Sequence, residues 1–92
     1  MSEKAISEIN IIYDTKRTQK KYIRIFGYDF ARCNINKCKM IIENKEYELA
    51  QKFNFKNYNK NILEIKLKGI DNITDMSFMF YRCSSLLYLS DY

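Results

Sequence analysis

The sequence predicts an α+β fold: a small, mostly antiparallel β domain of four to five strands with one short carboxy-terminal helix. Three observations predict it. Leu63, Ile65 and Leu67 alternate strictly with Glu64, Lys66 and Lys68, the pattern of a strand with one face in a core and one in water. Residues 38–49 carry a hairpin pattern, with Cys38, Met40 and Ile42 alternating on one arm and Tyr47 and Leu49 on the other. Near the carboxy terminus the period changes, and Met76, Met79, Phe80 and Cys83 fall at i, i+3, i+4 and i+7, the spacing of one helical stripe.

In chain order, "EINIIY" at 8–13 places Ile9, Ile11 and Tyr13 on one face and is rich in β-branched residues, so a strand is expected. "KKYIRIF" gives a second, with Ile23 and Ile25 facing one way, Arg24 the other, and Gly27 ending the run. Asn44-Lys45 is the expected turn of the hairpin, because Asn tolerates positive φ. Gly69 separates the strand at 62–68 from the segment of helical period. Thr74 or Asp75 would cap a helix of about two turns ending near Cys83, and so short a helix is stable only when packed against something. Leu86 and Leu89 then stand where a short strand would start.

At 92 residues the chain is long enough for one core, and a domain of this size buries somewhat over ~60% of the surface its unfolded form exposes. With 47% hydrophobic residues and no Pro-rich or Gly/Ser-rich tract, it reads as globular throughout. The net charge of +5 raises the question of a nucleic-acid partner. The lysines are scattered, however, and the one local cluster, Lys16-Arg17 with Lys20-Lys21, falls in an expected loop. The amino terminus lacks the apolar run of a secretory leader, and no stretch approaches the ~18–20 apolar residues of a membrane span. With three cysteines, an odd number, reduced thiols and a cytoplasmic location are the expectation.

The tail "NITDMSFMFYRCSSLLYLSD" resembles one unit of the BspA-like leucine-rich repeats through Asn72, Thr74, Met76, Ser77, Met79, Phe80, Cys83, Ser84, Ser85, Leu86 and Leu89. Upstream, "IRIFGYDF", "CKMIIENKEYEL" and "LEIKLKGI" resemble the non-repetitive segment that precedes such repeats. The resemblance implies a β-rich amino-terminal cap domain over 1–70 and a single repeat unit over 71–92, with the short helix belonging to that unit. A solenoid unit leaves an apolar edge that the next unit covers. The expected role is therefore a non-catalytic protein-protein interaction or capping module. Its partner, another protein or a second copy, would dock on the repeat edge through Met76, Met79, Phe80, Leu86 and Leu89 or along a sheet edge.

Other chemistry is poorly served. Cys33-x4-Cys38 has near-ligand spacing, but the chain has no His and structural zinc wants four ligands, so neither a metal nor any other cofactor is expected. Without His or a Gly-rich phosphate loop there is no ordinary nucleophile pair, and no enzyme is expected. Glu43, Glu46, Glu48 and Glu64 alternate with apolar residues, as outer-face charges do. The alternative function is weak RNA or single-strand binding through Lys52, Phe53, Phe55, Lys56, Tyr58 and Lys60, where phosphates would meet lysines and bases would stack on the rings. The plainer reading of that stretch puts the phenylalanines in the core and the lysines on a solvated loop.

Overall fold

The computed structural model describes residues 8–16, 21–54, 56, 58–73 and 75–91. In chain order the elements are β1 (Glu8–Asp14), β2 (Tyr22–Arg24), α1 (Tyr28–Asn34), β3 (Lys39–Ile42), β4 (Lys45–Glu48), β5 (Lys52–Asn54), β6 (Ile62–Lys68), a single 3-10 turn (Ile70–Asn72) and β7 (Leu86–Asp91). Five strands form one sheet in the order β4-β3-β6-β1-β7, every neighbouring pair antiparallel, while β2 and β5 pair separately.

Alternation fixes the register. Ile11 lies opposite Ile65, Tyr13 opposite Leu63, and Leu67 between Ile9 on one side and Met40 on the other. A slip of one residue would turn this whole apolar set to water. The sheet's inner face meets Ile23, Ile25 and Phe26 from the β2 segment and Phe30 and Ala31 from α1, and together they form one core. Phe26 stacks on Phe30 and on Phe80, with ring centroids 5.6 and 5.8 Å away. Tyr13 is fully buried, and its hydroxyl donates to the Ile25 carbonyl, tying β1 to the chain that leaves β2. Burial raises the Tyr13 pKa far above the ordinary tyrosine value.

The expected fold class is overturned. Among the described residues there are seven strands in two sheets instead of four or five, the one α-helix lies mid-chain at Tyr28–Asn34, and those between 71 and 91 build no helical solenoid unit. Where a helix was expected, the amide of Met79 bonds to the carbonyl of Met76, Tyr81 to Phe78, Cys83 to Phe80 and Leu86 to Cys83. These are i to i+3 turns, broken by left-handed backbone at Phe78 (φ 60°) and Arg82 (φ 63°). An α-helix would give the Met79 carbonyl to Cys83, but that carbonyl instead accepts the amide of Gly27 at 2.8 Å. Asp75 does open the segment, accepting the Ser77 amide at 2.9 Å, while Thr74 lies outside the described residues.

Two smaller expectations shift. The hairpin turn is Glu43-Asn44, both at positive φ, so Lys45 already belongs to β4 opposite Ile42. Tyr47 is half-exposed on β4, and Leu49, just past it, is the residue that enters the core. Gly69, at φ 86°, makes the left-handed turn that ends β6, as its place between two periodicities suggests.

Two measurements check this packing. A Cβ at Gly27 would stand 2.1 Å from the Phe78 carbonyl oxygen, so Gly27→Ala should lower stability by about 2–3 kcal/mol, read as a fall in the urea midpoint. A Gly27→Ala chain as stable as wild type would mean that this approach is not made. Because the Tyr13 pKa is raised on folding, its stabilisation is fully present below the unfolded value of about 10 and is lost as the pH rises beyond it. Urea midpoints should therefore fall in alkali. Tyr13→Phe should lose about 1 kcal/mol near neutrality, yet show the shallower alkaline decline.

Candidate functional site

A five-stranded open sheet has two edges, and here they differ in chemistry. The β4 edge carries Lys45, Glu46, Tyr47 and Glu48, all exposed, and charges of this kind discourage a further strand from pairing. The β7 edge reads Leu86-Leu87-Tyr88-Leu89-Ser90-Asp91, with one charged residue, at its end. Leu86 packs against the core, but Leu87, Tyr88 and Leu89 are 50%, 60% and 49% exposed.

Leu89 is placed by its register. It lies opposite Ile11, which is fully buried, so Leu89 sits on the core face at the rim where the sheet stops. The Asp14 amide donates to the Ser85 carbonyl at 2.8 Å, so Asp14 addresses β7 with its main chain. By the period of two, Ile12 and Asn10 do the same, and Tyr88 and Ser90 opposite them face β1. Leu89 then directs its N–H and C=O outward. The edge offers apolar side chains and main-chain hydrogen-bonding groups in the same place.

A second exposed apolar group comes from the turns of 75–83. Phe78 and Tyr81 are both exposed and meet edge to face, with centroids 5.6 Å apart, and the Arg82 guanidinium lies 5.2 Å from the Tyr81 ring centre. Left-handed backbone at a residue as bulky as Phe78 costs on the order of 1–2 kcal/mol. Insertion of Met79 into the core and the Gly27–Met79 hydrogen bond hold it in place.

The residues predicted as a docking stripe are divided by this backbone. Met79 is buried, Phe80 and Leu86 are partly buried against the core, and only Met76 and Leu89 are substantially exposed. Helical spacing would have put Met76, Met79 and Phe80 on one face; the i to i+3 turns send Met79 inward and Met76 out. Leu87, Tyr88, Phe78 and Tyr81 were missed. For β7 a signal existed, four large apolar residues in succession without a charge, whereas Phe78 and Tyr81 are exposed by turn geometry that their spacing does not announce.

The alternative nucleic-acid set is also rearranged. Lys52 and Phe53 lie on β5, with Phe53 against the core and edge to face with Tyr58 at 5.2 Å. The Tyr58 hydroxyl donates to the Ile62 carbonyl at 2.6 Å. Lys60 pairs with Glu43 at 2.7 Å, and that bond raises the Lys60 pKa. Lys52 lies 4.5 Å from the Tyr22 ring centre, Lys56 is exposed, and Phe55 lies outside the described residues. Glu43, Tyr58, Lys60, Ile62 and Glu64 line an open groove of about 440 Å³ in which Lys60 already has its anion.

Among the described residues no group of three or more His, Cys, Asp or Glu is placed to hold a metal ion. Cys33 is exposed and Cys38 and Cys83 are buried, all three as free thiols. Burial pushes the Cys83 thiol up to about 11 and raises Cys38 as well, the reverse of what a nucleophile needs. No helix among the described residues is long and apolar enough to cross a membrane. Searches of protein-family models, curated proteins and solved structures find no match to this chain.

Thiol labelling checks the arrangement of the cysteines. With iodoacetamide near pH 8, Cys33 should be modified at least about tenfold faster than Cys38 or Cys83, and urea should abolish the difference. Equal native rates, read by peptide mass spectrometry, would show that the segment around Cys83 is open.

Proposed function

We propose that the chain is a non-catalytic protein-interaction module whose docking edge is β7, with the exposed rings of Phe78 and Tyr81 as a further apolar surface. The observation that carries this reading is the contrast between the two sheet edges. One is blunted by charge, and the other is apolar with main-chain groups directed outward. A partner that adds a strand gains main-chain hydrogen bonds from such an edge and specificity from alternate side chains. Aromatic and arginine side chains of the kind gathered at Phe78, Tyr81 and Arg82 are the types enriched at interface centres.

This reading rests on the edge and not on the likeness of 72–89 to a BspA-like repeat, which stays a proposal about sequence alone. The nucleic-acid alternative draws less support. Phe53 and Tyr58 pack on each other and Lys60 is engaged by Glu43, so bases would have to displace existing contacts.

Panning a random-peptide library against the folded chain tests the reading. The selected peptides should be extended and alternately apolar, should bind about equally at low and moderate salt, and should lose at least about tenfold in affinity to Leu89→Lys. If instead the chain binds single-stranded oligonucleotides with affinity falling steeply with salt, and Lys52→Ala with Lys56→Ala removes that binding, the interaction reading gives way to the alternative.

A further inference from the structure

We infer that the strand received at the β7 edge is the β7 of a second copy of this chain, paired antiparallel about a two-fold axis at Leu89. This rests on the reading of β7 as a docking edge and adds the identity of its occupant. An edge is self-complementary when its outward main-chain groups, apolar side chains and charges all fit their own image under a two-fold rotation.

The outward groups fit. Leu89 directs both N–H and C=O to the open side, so with the axis at this residue the two copies of Leu89 exchange both hydrogen bonds, the closed pair of an antiparallel ladder. Asp91, two residues on, has the same main-chain direction, while toward the other end β7 bulges at Leu87, between Leu86 opposite Tyr13 and Tyr88 opposite Ile12, and the regular new ladder stops there. The apolar set fits as well. Leu89 stands on the core face beside the buried Ile11, so two such leucines meeting at the axis join the two cores across the new pair. Tyr88, on the other face, lies diagonal to its image.

The charges do not oppose. Asp91 is the one charged residue of β7, and an axis at Leu89 sets the two Asp91 residues at opposite ends of the paired segment. A parallel arrangement of two copies would instead lay them side by side. The β4 edge fails the apolar and charge conditions, because Glu46 and Glu48 alternate with Lys45 and Tyr47 and would face like charges in several registers. The product is one continuous ten-stranded sheet with a β4 edge, already charged, at each end.

Each copy carries a net charge of +5, so two copies repel and added salt should tighten the dimer. A phosphate-driven complex would weaken instead.

Sedimentation equilibrium across a concentration series, at low and moderate salt, tests the inference on the full chain. A monomer–dimer equilibrium is expected that strengthens with salt and weakens at least about tenfold in Leu89→Lys. Leu89→Pro is the second variant. It removes the outward N–H and leaves the bonds to β1, an arrangement edge strands tolerate, so it should dissociate the dimer while the urea midpoint shows the fold retained. Glu46→Ala on the β4 edge should leave the dimer unchanged. A dimer indifferent to both Leu89 variants overturns the inference. So does a chain that stays monomeric into the millimolar range, and hydrogen exchange then separates two failures: a fast-exchanging Leu89 amide leaves the edge open to a different partner, whereas a protected one removes the docking edge itself.

Discussion

β1 is hydrogen-bonded along both sides, to β6 through seven residue pairs and to β7 through five, and this double pairing decides which part of the molecule stays open. Its inner residues Ile11 and Tyr13 are fully buried because strands lie on either side and the β2 segment lies across the face. β7, by contrast, has β1 on one side and no described strand on the other. With β7 outermost among the described strands, Leu89 is left half exposed at the rim of the core. The candidate site is therefore a consequence of strand order and not a separate feature added to the fold.

The second constraint is the hydrogen bond from Gly27 to the Met79 carbonyl. It joins the start of α1 to the turns of 75–83, and the absence of a Cβ at Gly27 is what lets the two backbones meet. With that carbonyl engaged and Phe78 and Arg82 in left-handed backbone, the segment does not continue as an α-helix. It resolves into turns that bury Met79 and Cys83 and lift Phe78 and Tyr81 into solvent. The strained backbone at Phe78 and Arg82 is thus paid for by contacts elsewhere, principally Met79 in the core and Phe80 on Phe26.

The long strands were legible because their periodicity is local. Ile9 to Tyr13 and Leu63 to Leu67 alternate by themselves, and any sheet that buries one face must orient them alike. What the sequence hid was decided at a distance. The helix at Tyr28–Asn34 buries Phe30, Ala31 and Asn34 in a run too short to display a stripe. The apolar spacing of 76–83 is equally compatible with a helix and with successive three-residue turns, and the choice was made by Gly27, some fifty positions away. At the site the same division holds. That β7 is apolar could be read directly, but its position at the edge depends on β1 choosing both β6 and β7 as neighbours. Phe53 and Tyr58 illustrate the converse, since their interleaving with lysines suggested a stacking surface until β5 paired with β2 and drew Phe53 inward.

An uncovered core edge also bears on stability. Fully burying a leucine is worth roughly 1.5–3 kcal/mol, so Leu87 and Leu89, each about half exposed, together leave on the order of 1.5–3 kcal/mol unrealised. Domains of this size are stable by only about 5–15 kcal/mol in all. Whatever covers β7 therefore adds a sizeable fraction to the stability of the whole sheet, because β7 is held by β1 and β1 by β6. Binding and folding are linked through that ladder: a ligand of the folded edge raises the unfolding free energy of every strand paired behind it. The coupling runs in both directions. Loosening the core at Tyr13, whose strand pairs directly with β7, or at Gly27 lowers the apparent affinity of the edge only where it brings a sizeable fraction of the chain to the unfolded state.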